Sequence, residues 1–194
     1  MRRIGIGLCV LACILLLGSC AGIPRPETEE NALVIGSFVL DYPDGIFEYP
    51  ARTITGGIYL TIKNNADDST FTVRTGDNGY FYFLSNGKDS YSLVSYRYTF
   101  TAAGRSEYSL EGGIQGAFTT VPGQVCFLGD LVFINAKGKK TEETTSASGE
   151  RHTSWSYERS ATRGEKPDKM IEFLRKQDAE SPWLSRMVTT VKLQ

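Results

Sequence analysis

The sequence predicts an all-β protein: an antiparallel β-sandwich followed by a short two-helix C-terminal tail. Three observations lead to this fold class. From Leu33 onward, apolar and polar side chains alternate in many short runs spaced about ten residues apart, as in half-buried strands. The breaks between these runs are rich in glycine, asparagine and aspartate, which favour tight turns. After Pro167 the apolar residues recur instead at the spacing of an amphipathic helix.

The amino terminus has the composition of a secretory signal peptide. Arg2 and Arg3 precede an uncharged apolar run that ends at Leu17. This run is short for a membrane span and suits the apolar core of a signal peptide. Residues 17–20 read Leu-Gly-Ser-Cys and resemble the lipobox of bacterial lipoproteins. We therefore predict a signal peptide at residues 1–19.

The resemblance implies a lipid anchor on Cys20. In that family the cysteine becomes the first mature residue, with diacylglycerol on its sulfur and usually an acyl chain such as palmitate on its nitrogen. Two or more acyl chains hold a protein durably on a membrane, whereas one chain does not. The resemblance thus implies a lipoprotein of the bacterial cell envelope. Ala21 after the cysteine, in place of aspartate, favours the outer membrane.

Other readings of the amino terminus stay open. Cys13 ends a second candidate site, Val10-Leu11-Ala12-Cys13, but cleavage there would leave an apolar stretch on the mature chain. The protein could also be secreted without lipid, or keep an uncleaved membrane anchor. We favour Cys20 because small residues precede it and a polar segment follows it.

Composition argues against a nucleic-acid partner. Removing Arg2 and Arg3 from 21 basic residues leaves 19 against 22 acidic ones, a net charge of −3. Phosphate binding needs clustered Lys and Arg, and the one short basic run, at 137–140, is followed by Thr141 and then by two glutamates. Lipid on Cys20 would leave Cys126 without a cysteine partner, and its apolar neighbours indicate a buried, inert thiol.

The pattern divides the mature chain into four segments. Residues 20–31, with two prolines and three glutamates after the cysteine, predict a flexible tether that could reach roughly 35 Å. The strand pattern fills residues 32–136. Residues 137–166 are polar and predict either a long hairpin or a loop, and residues 167–194 predict the helical tail.

Two short helices are predicted in the tail. Met170, Ile171 and Leu174 lie on one helical face, which Phe173 widens. Ser181-Pro182 has the character of a helix N-cap followed by proline at the first helical position. The apolar faces of these helices must be buried, and we expect them to pack on the sheet. Docking to another protein is the alternative.

A central stretch, residues 56–96, carries a second resemblance. It is similar to the transthyretin-like domain, also called the carboxypeptidase regulatory-like domain, although Gly76 replaces the usual aspartate and Asn86-Gly87-Lys88-Asp89 replaces a Pro-Gly turn. The resemblance implies a small sandwich that serves as an accessory or binding module. The positions that match are Ile58, Leu60, Ile62, Thr75, Gly79, Phe81, Phe83, Tyr91 and Leu93.

The sequence offers little for catalysis or metal binding. His152 is the one histidine, too few for an ordinary zinc site, and no nucleophile-elbow or phosphate-loop motif is present. Acidic residues in turns, such as Asp67 and Asp77, lack the spacing of a calcium loop. We therefore predict a non-enzyme without cofactor or metal. A hydrolase, the least favoured alternative, would need converging acids or His152 beside a nucleophile.

Aromatic residues supply the remaining candidate site. Tyr80, Tyr82, Tyr96 and Tyr98 are predicted to share one sheet face, where exposed rings would suit sugar or peptide recognition. We favour the competing interpretation, in which the C-terminal helices cover that face. Taken together, these features predict a non-catalytic, lipid-anchored binding or scaffold module whose partner is an envelope protein or glycan. A carbohydrate-binding module that uses the tyrosine face is the alternative.

Overall fold

A computed structural model describes residues 22–46, 50–102, 106–145, 149 and 151–194, with the backbone alone at 101–102, 106–108 and 151–155. The predicted signal peptide and Cys20 therefore lie outside the described residues. Among the helices that are described, none is both long and apolar enough to cross a bilayer. In chain order the described elements are β1 (Ala32–Tyr42), β2 (Arg52–Ile54), β3 (Tyr59–Asn64), β4 (Thr70–Arg74), β5 (Tyr80–Ser85), β6 (Ser90–Ala102), β7 (Ser106–Thr119), β8 (Val125–Thr145), β9 (Arg151–Gly164), helix α1 (Pro167–Gln177), a 3-10 helix (Pro182–Ser185) and β10 (Val188–Thr190).

The first sheet is built around a parallel pair of strands, β1 and β8. Their register runs from Leu33 opposite Val125 to Asp41 opposite Ile134. The other edge of β1 pairs antiparallel with β5 and then with β2. The far edge of β8 pairs with β10 in parallel and with β9 antiparallel. The prediction of a purely antiparallel fold is wrong for this sheet, because the chain completes the whole second sheet between β1 and β8, which gives the long crossover that a parallel pair requires.

The second sheet has four antiparallel strands in the order β4, β3, β6, β7. The two sheets pack face to face, as in a sandwich, around side chains that are fully buried, such as Phe38, Leu60, Ile62 and Phe81. Phe81 and Phe83 of β5 point into this core, because alternate residues of a strand face the same side. The turn before β5 contains Gly79 at φ +85°, a conformation that favours glycine.

The C-terminal tail forms a third layer on the outer face of the first sheet. Met170, Phe173 and Leu174 of α1 are buried against side chains of β1 and β8. Packing on the sheet is therefore confirmed for this helix. The second predicted helix begins at Pro182, as expected, but it is a short 3-10 helix that ends at Ser185, and residues 188–190 form β10 instead of continuing it. The β-branched run Val-Thr-Thr suits a strand, and the free edge of β8 supplies its partner.

The polar segment after residue 136 is a hairpin rather than a loop. Strands β8 and β9 pair antiparallel from Asp130 opposite Gly164 to Thr145 opposite Arg151. The outer part of this hairpin is exposed wherever its side chains are described. The hairpin alternative of the prediction therefore agrees with the structure.

Residues 22–31 do not extend freely from the body, in contrast to the expected tether. Ile23 is only 7% exposed and lies in the cluster of α1. The indole nitrogen of Trp183 donates a hydrogen bond to the carbonyl of Pro24 at 2.6 Å. The guanidinium of Arg186 donates hydrogen bonds to the carbonyl and to the carboxylate of Glu29. The guanidinium of Arg25 lies 3.6 Å from the Asp178 carboxylate. A buried aromatic and apolar contact thus holds this segment on the helix layer.

Replacing Leu60 with alanine tests the shared core. Leu60 is fully buried between the sheets, so the cavity left by Leu60→Ala should lower the free energy of unfolding by about 2–5 kcal/mol. Urea unfolding followed by fluorescence measures the change. Thr70→Ala, at an exposed position of the neighbouring strand, should change stability by less than about 0.5 kcal/mol. Equal losses in the two variants would contradict this account of the core.

Candidate functional site

The predicted tyrosine face divides between the two sheets. Tyr80 and Tyr82 lie on β5 in the first sheet and face α1. The ring of Tyr80 stacks on Phe173 with centroids 4.4 Å apart, and Tyr82 lies 6.4 Å from the same ring. Burial raises the pKa of both phenols. The C-terminal helix therefore covers this pair in large part.

Tyr96 and Tyr98 lie on β6 in the second sheet and point into the core between the sheets. Tyr96 is 2% exposed, and its ring lies 5.5 Å from that of Phe38 and 5.8 Å from that of Phe133. Tyr98 is half-buried against the same core. The prediction of one shared strip is therefore wrong.

The four tyrosines are separated because β5 and β6 belong to different sheets, and a β-bulge in β6 explains why Tyr96 points inward. The register between β3 and β6 shifts between Thr61 and Ile62, so that Val94 has no partner on β3. One extra residue exchanges the two faces of a strand beyond it. Leu93 and Tyr96 consequently both point inward, three residues apart, and Arg97 points outward. Strict alternation from Leu93 would have given the reverse orientation.

The residue opposite Tyr96 makes room for its ring. Tyr96 pairs with Gly112 of β7, and a Cβ atom on Gly112 would lie only 2.5 Å from a ring carbon of Tyr96. No larger residue fits there without displacing the ring. The bulge and Gly112 therefore act together to orient the outward residues of β6.

The outer face of the second sheet carries exposed and half-buried side chains among the described residues, and four exposed ones form a row across it. Tyr59 of β3 pairs with Arg74 of β4 on one side and with Arg97 of β6 on the other, and Arg97 pairs with Glu111 of β7. The guanidinium carbon of Arg74 lies 5.8 Å from the centroid of the Tyr59 ring, and that of Arg97 lies 6.0 Å from it. We call these four residues the Tyr59 row.

Shallow cavities lie on both sides of Tyr59. One has a volume of about 550 Å³ and includes the hydroxyl residues Thr61, Thr72 and Ser95. The other has a volume of about 440 Å³ and includes Arg74, Asp77 and the half-buried Tyr98. Tyr59 itself is 39% exposed and lines both cavities. The surface therefore offers the exposed Tyr59 ring, part of Tyr98, two cations, several hydroxyls and flanking carboxylates.

The two cations of the row have available hydrogen-bond donors. Within the part of the chain that the structure describes, neither Arg74 nor Arg97 forms a salt bridge. Lys63 on the same face, by contrast, pairs with Asp68 at 2.6 Å. The Glu111 carboxylate accepts a hydrogen bond from the Ser109 hydroxyl at 3.1 Å. Contact with an aromatic ring orients a guanidinium while leaving its N–H groups free to bind a ligand.

Tyr80 and Tyr82 also border a cavity, of about 540 Å³, together with Arg74, Phe173 and Gln177. The face of the Tyr80 ring is already stacked on Phe173, however. This cavity therefore offers ring edges rather than an open aromatic surface, and the Tyr59 row is the stronger candidate.

The remaining candidate residues lie elsewhere. Cys126 is fully buried in the core, where burial raises the pKa of its thiol. The backbone of His152 lies in β9, opposite Thr144 of the first sheet. Hydrogen bonds from the hydroxyl and amide of Ser69 lower the pKa of Asp67, as in a local turn. Over the described residues, no three His, Cys, Asp or Glu side chains converge as metal ligands.

The Tyr59 row was not predicted from the sequence. The alternation of Tyr59, Thr61 and Lys63 with buried neighbours marks a polar outer face, and it could have identified Tyr59 and its partner Arg74. Arg97 could not have been placed, because its orientation depends on the bulge. Comparison with known proteins adds no relative: no protein-family model matches the chain, and no curated protein sequence matches it significantly.

Removing the ring that covers Tyr80 should change its titration. We expect Phe173→Ala to lower the pKa of Tyr80 toward its ordinary value, because burial is the largest cause of the raised pKa. Ultraviolet titration, with Tyr80→Phe in each background to assign the signal, measures this change. Lys169→Ala, at an exposed position of the same helix, is the control and should leave the titration as in the wild type. An unchanged pKa in Phe173→Ala would show that the ring does not shield the phenol.

Proposed function

We propose that this chain is a non-catalytic, lipid-anchored protein of the bacterial cell envelope that binds a ligand at the Tyr59 row. The observation that carries the proposal is the pair of guanidiniums around Tyr59, which lack a salt-bridge partner among the described residues and lie on an open sheet face. Unpaired, oriented donors on an exposed surface favour binding over a purely structural role. The carbohydrate-binding alternative from the sequence would then use this face rather than the predicted tyrosine strip.

The transthyretin-like fold is part of this proposal. Residues 56–96, which carry the resemblance, form the β3–β4 hairpin, β5 and the first part of β6. The apolar positions of the motif, including Leu60, Phe81 and Leu93, are buried between the two sheets. These features support a transthyretin-like fold for the domain. That fold would in turn favour a binding role, because such domains are usually accessory modules.

The docked segment at residues 22–31 supports a close approach to the membrane. Only Ala21 and Gly22 separate Cys20 from the buried Ile23. An extended chain spans at most about 3.6 Å per residue, so a lipid on Cys20 would hold the body within about 10 Å of the head groups. The tether of roughly 35 Å expected from the sequence would then be far shorter.

The docked segment also sets the orientation of the β-rich domain relative to the membrane. Ile23 and Trp183 pack in the layer of α1, on the outer face of the first sheet. The Tyr59 row lies on the outer face of the second sheet, with the first sheet and the core between them. The proposed binding surface therefore faces away from the bilayer that holds the anchor.

Replacing Cys20 with alanine tests the anchor. In a bacterial host we expect the wild-type chain to lose residues 1–19 and to gain the mass of its acyl chains, because Cys20 is the modified residue. We expect Cys20→Ala to show no acyl mass, as read by intact-mass spectrometry of the membrane fraction. Cys13→Ala is the matched control and should behave as the wild type. Loss of the acyl mass in Cys13→Ala, or an unmodified Cys20 in the wild type, would refute the anchor at Cys20.

Photo-crosslinking tests the orientation and the binding face together. A crosslinking residue replaces either Ala179, an exposed residue next to the docked segment, or Thr70, an exposed residue on the sheet face of the Tyr59 row. In intact cells we expect lipid adducts at position 179 and none at position 70. Position 70 should instead give a non-lipid adduct that is lost when Arg97→Ala is added.

Two outcomes of the crosslinking would contradict the proposal. Equal lipid adducts at the two positions would exclude a body oriented by the docked segment. The absence of any adduct at position 70 that depends on Arg97 would exclude ligand binding on this face.

A further inference from the structure

We propose that the Tyr59 row binds a carboxylate-bearing carbohydrate chain, a polymer that carries hydroxyls on every sugar and carboxylates at intervals. The inference rests on the proposed binding function and specifies its ligand. The two guanidiniums favour carboxylates as the charged groups of the ligand. Each can hold a carboxylate through two parallel N–H groups, a geometry that a point charge such as lysine does not offer. Contact of both groups with one ring limits their motion before binding, which lowers the entropy cost of complex formation.

The side chains around the two arginines would form hydrogen bonds with the hydroxyls of a ligand more readily than they would pack against the apolar side chains of a partner protein. Thr61, Thr72 and Ser95 line the cavity beside Tyr59. A protein interface would be centred on buried aromatic and aliphatic anchors, and this face offers few apolar side chains. Among the described residues of this face, the exposed large hydrophobic residues are Tyr59 and Val94, and each is 39% exposed. A polyhydroxylated ligand is therefore the better complement.

The flanking acids select against a more densely charged ligand. Glu111 ends the row on one side, and Asp77 lines the cavity beside Arg74 on the other. A polyphosphate or a nucleic acid would bring closely spaced negative charges against these carboxylates. A carbohydrate with spaced carboxylates can instead place hydroxyl donors on Glu111 and Asp77 and its own carboxylates on the arginines.

The dimensions of the row favour a chain over a single sugar. Arg74 and Glu111 are separated by three strand-to-strand spacings, a distance of about 14 Å. The cavities along the row are shallow, so a polymer can lie along it. At the Glu111 end it would meet Arg159 of the β8–β9 hairpin, which donates a hydrogen bond to the Glu111 carbonyl at 3.3 Å. The position of the row on the face away from the proposed anchor leaves space for such a polymer.

Binding of defined oligosaccharides to the full-length protein in detergent tests the inference. The probes are hexamers of galacturonate and of mannuronate, with a neutral galactose hexamer, polyglutamate and polyphosphate as comparisons. Calorimetry should show binding of at least one uronate hexamer that weakens with added salt. Loss of either charge-assisted contact, in Arg74→Ala or Arg97→Ala, should weaken that binding roughly tenfold to a hundredfold.

Lys63→Ala is the matched control, because it removes a cation from the same face that is already paired with Asp68. Its affinity should stay within about twofold of the wild type, since surface ion pairs contribute little. Arg97→Lys should recover only part of the affinity, because lysine lacks the two-pronged geometry.

The outcomes separate this inference from the proposed function. Equal or tighter binding of the neutral hexamer, polyglutamate or polyphosphate would overturn the ligand class, as would failure of both uronates to bind. In either case, an adduct at position 70 that depends on Arg97 would still support a binding face. An unmodified Cys20 would refute the anchor and leave the uronate result unaffected.

Discussion

The burial of β1 on both of its faces is the constraint on which the rest of the structure depends. Val34, Phe38 and Leu40 point into the core between the sheets, and Leu33 and Ile35 point into the cluster beneath α1. Strands β2, β5 and β8 all pair with β1. One strand therefore joins three layers, because a sheet that is covered on both sides must present apolar residues in both directions.

Two local irregularities determine which side chains reach each surface. In β8, the register with β1 shifts beside Gly129, which has φ +92°, and Leu131 and Phe133 turn toward the inter-sheet core. In β6, the extra Val94 turns Tyr96 inward and Arg97 outward. A residue inserted in one strand exchanges core and surface for every residue after it. The Tyr59 row exists because of the second of these shifts.

The two outer faces of the molecule differ in a way that suits two different contacts. The face of the first sheet is closed by α1, the 3-10 helix and residues 22–31, which meet at the buried Trp183. The face of the second sheet is open and carries paired and unpaired charges. In the proposed function, the closed side holds the body near the membrane and the open side meets the ligand. The first sheet and its two apolar clusters keep these surfaces on opposite sides of the body.

The sequence by itself determined the β-rich class, the approximate positions of most strands, the inward face of β5 and the packing of one amphipathic helix on a sheet. These properties depend on local periodicity, which a sequence displays directly. Only the tertiary structure decided the parallel pairing of β1 with β8, the strand formed by Val188–Thr190, the docking of Ile23 and the separation of the four tyrosines. Each of these depends on a distant partner or on a shift in register. Of the candidate site, the outward position of Tyr59 could be read from alternation, whereas that of Arg97 required the bulge, because a bulge is defined by pairing between strands.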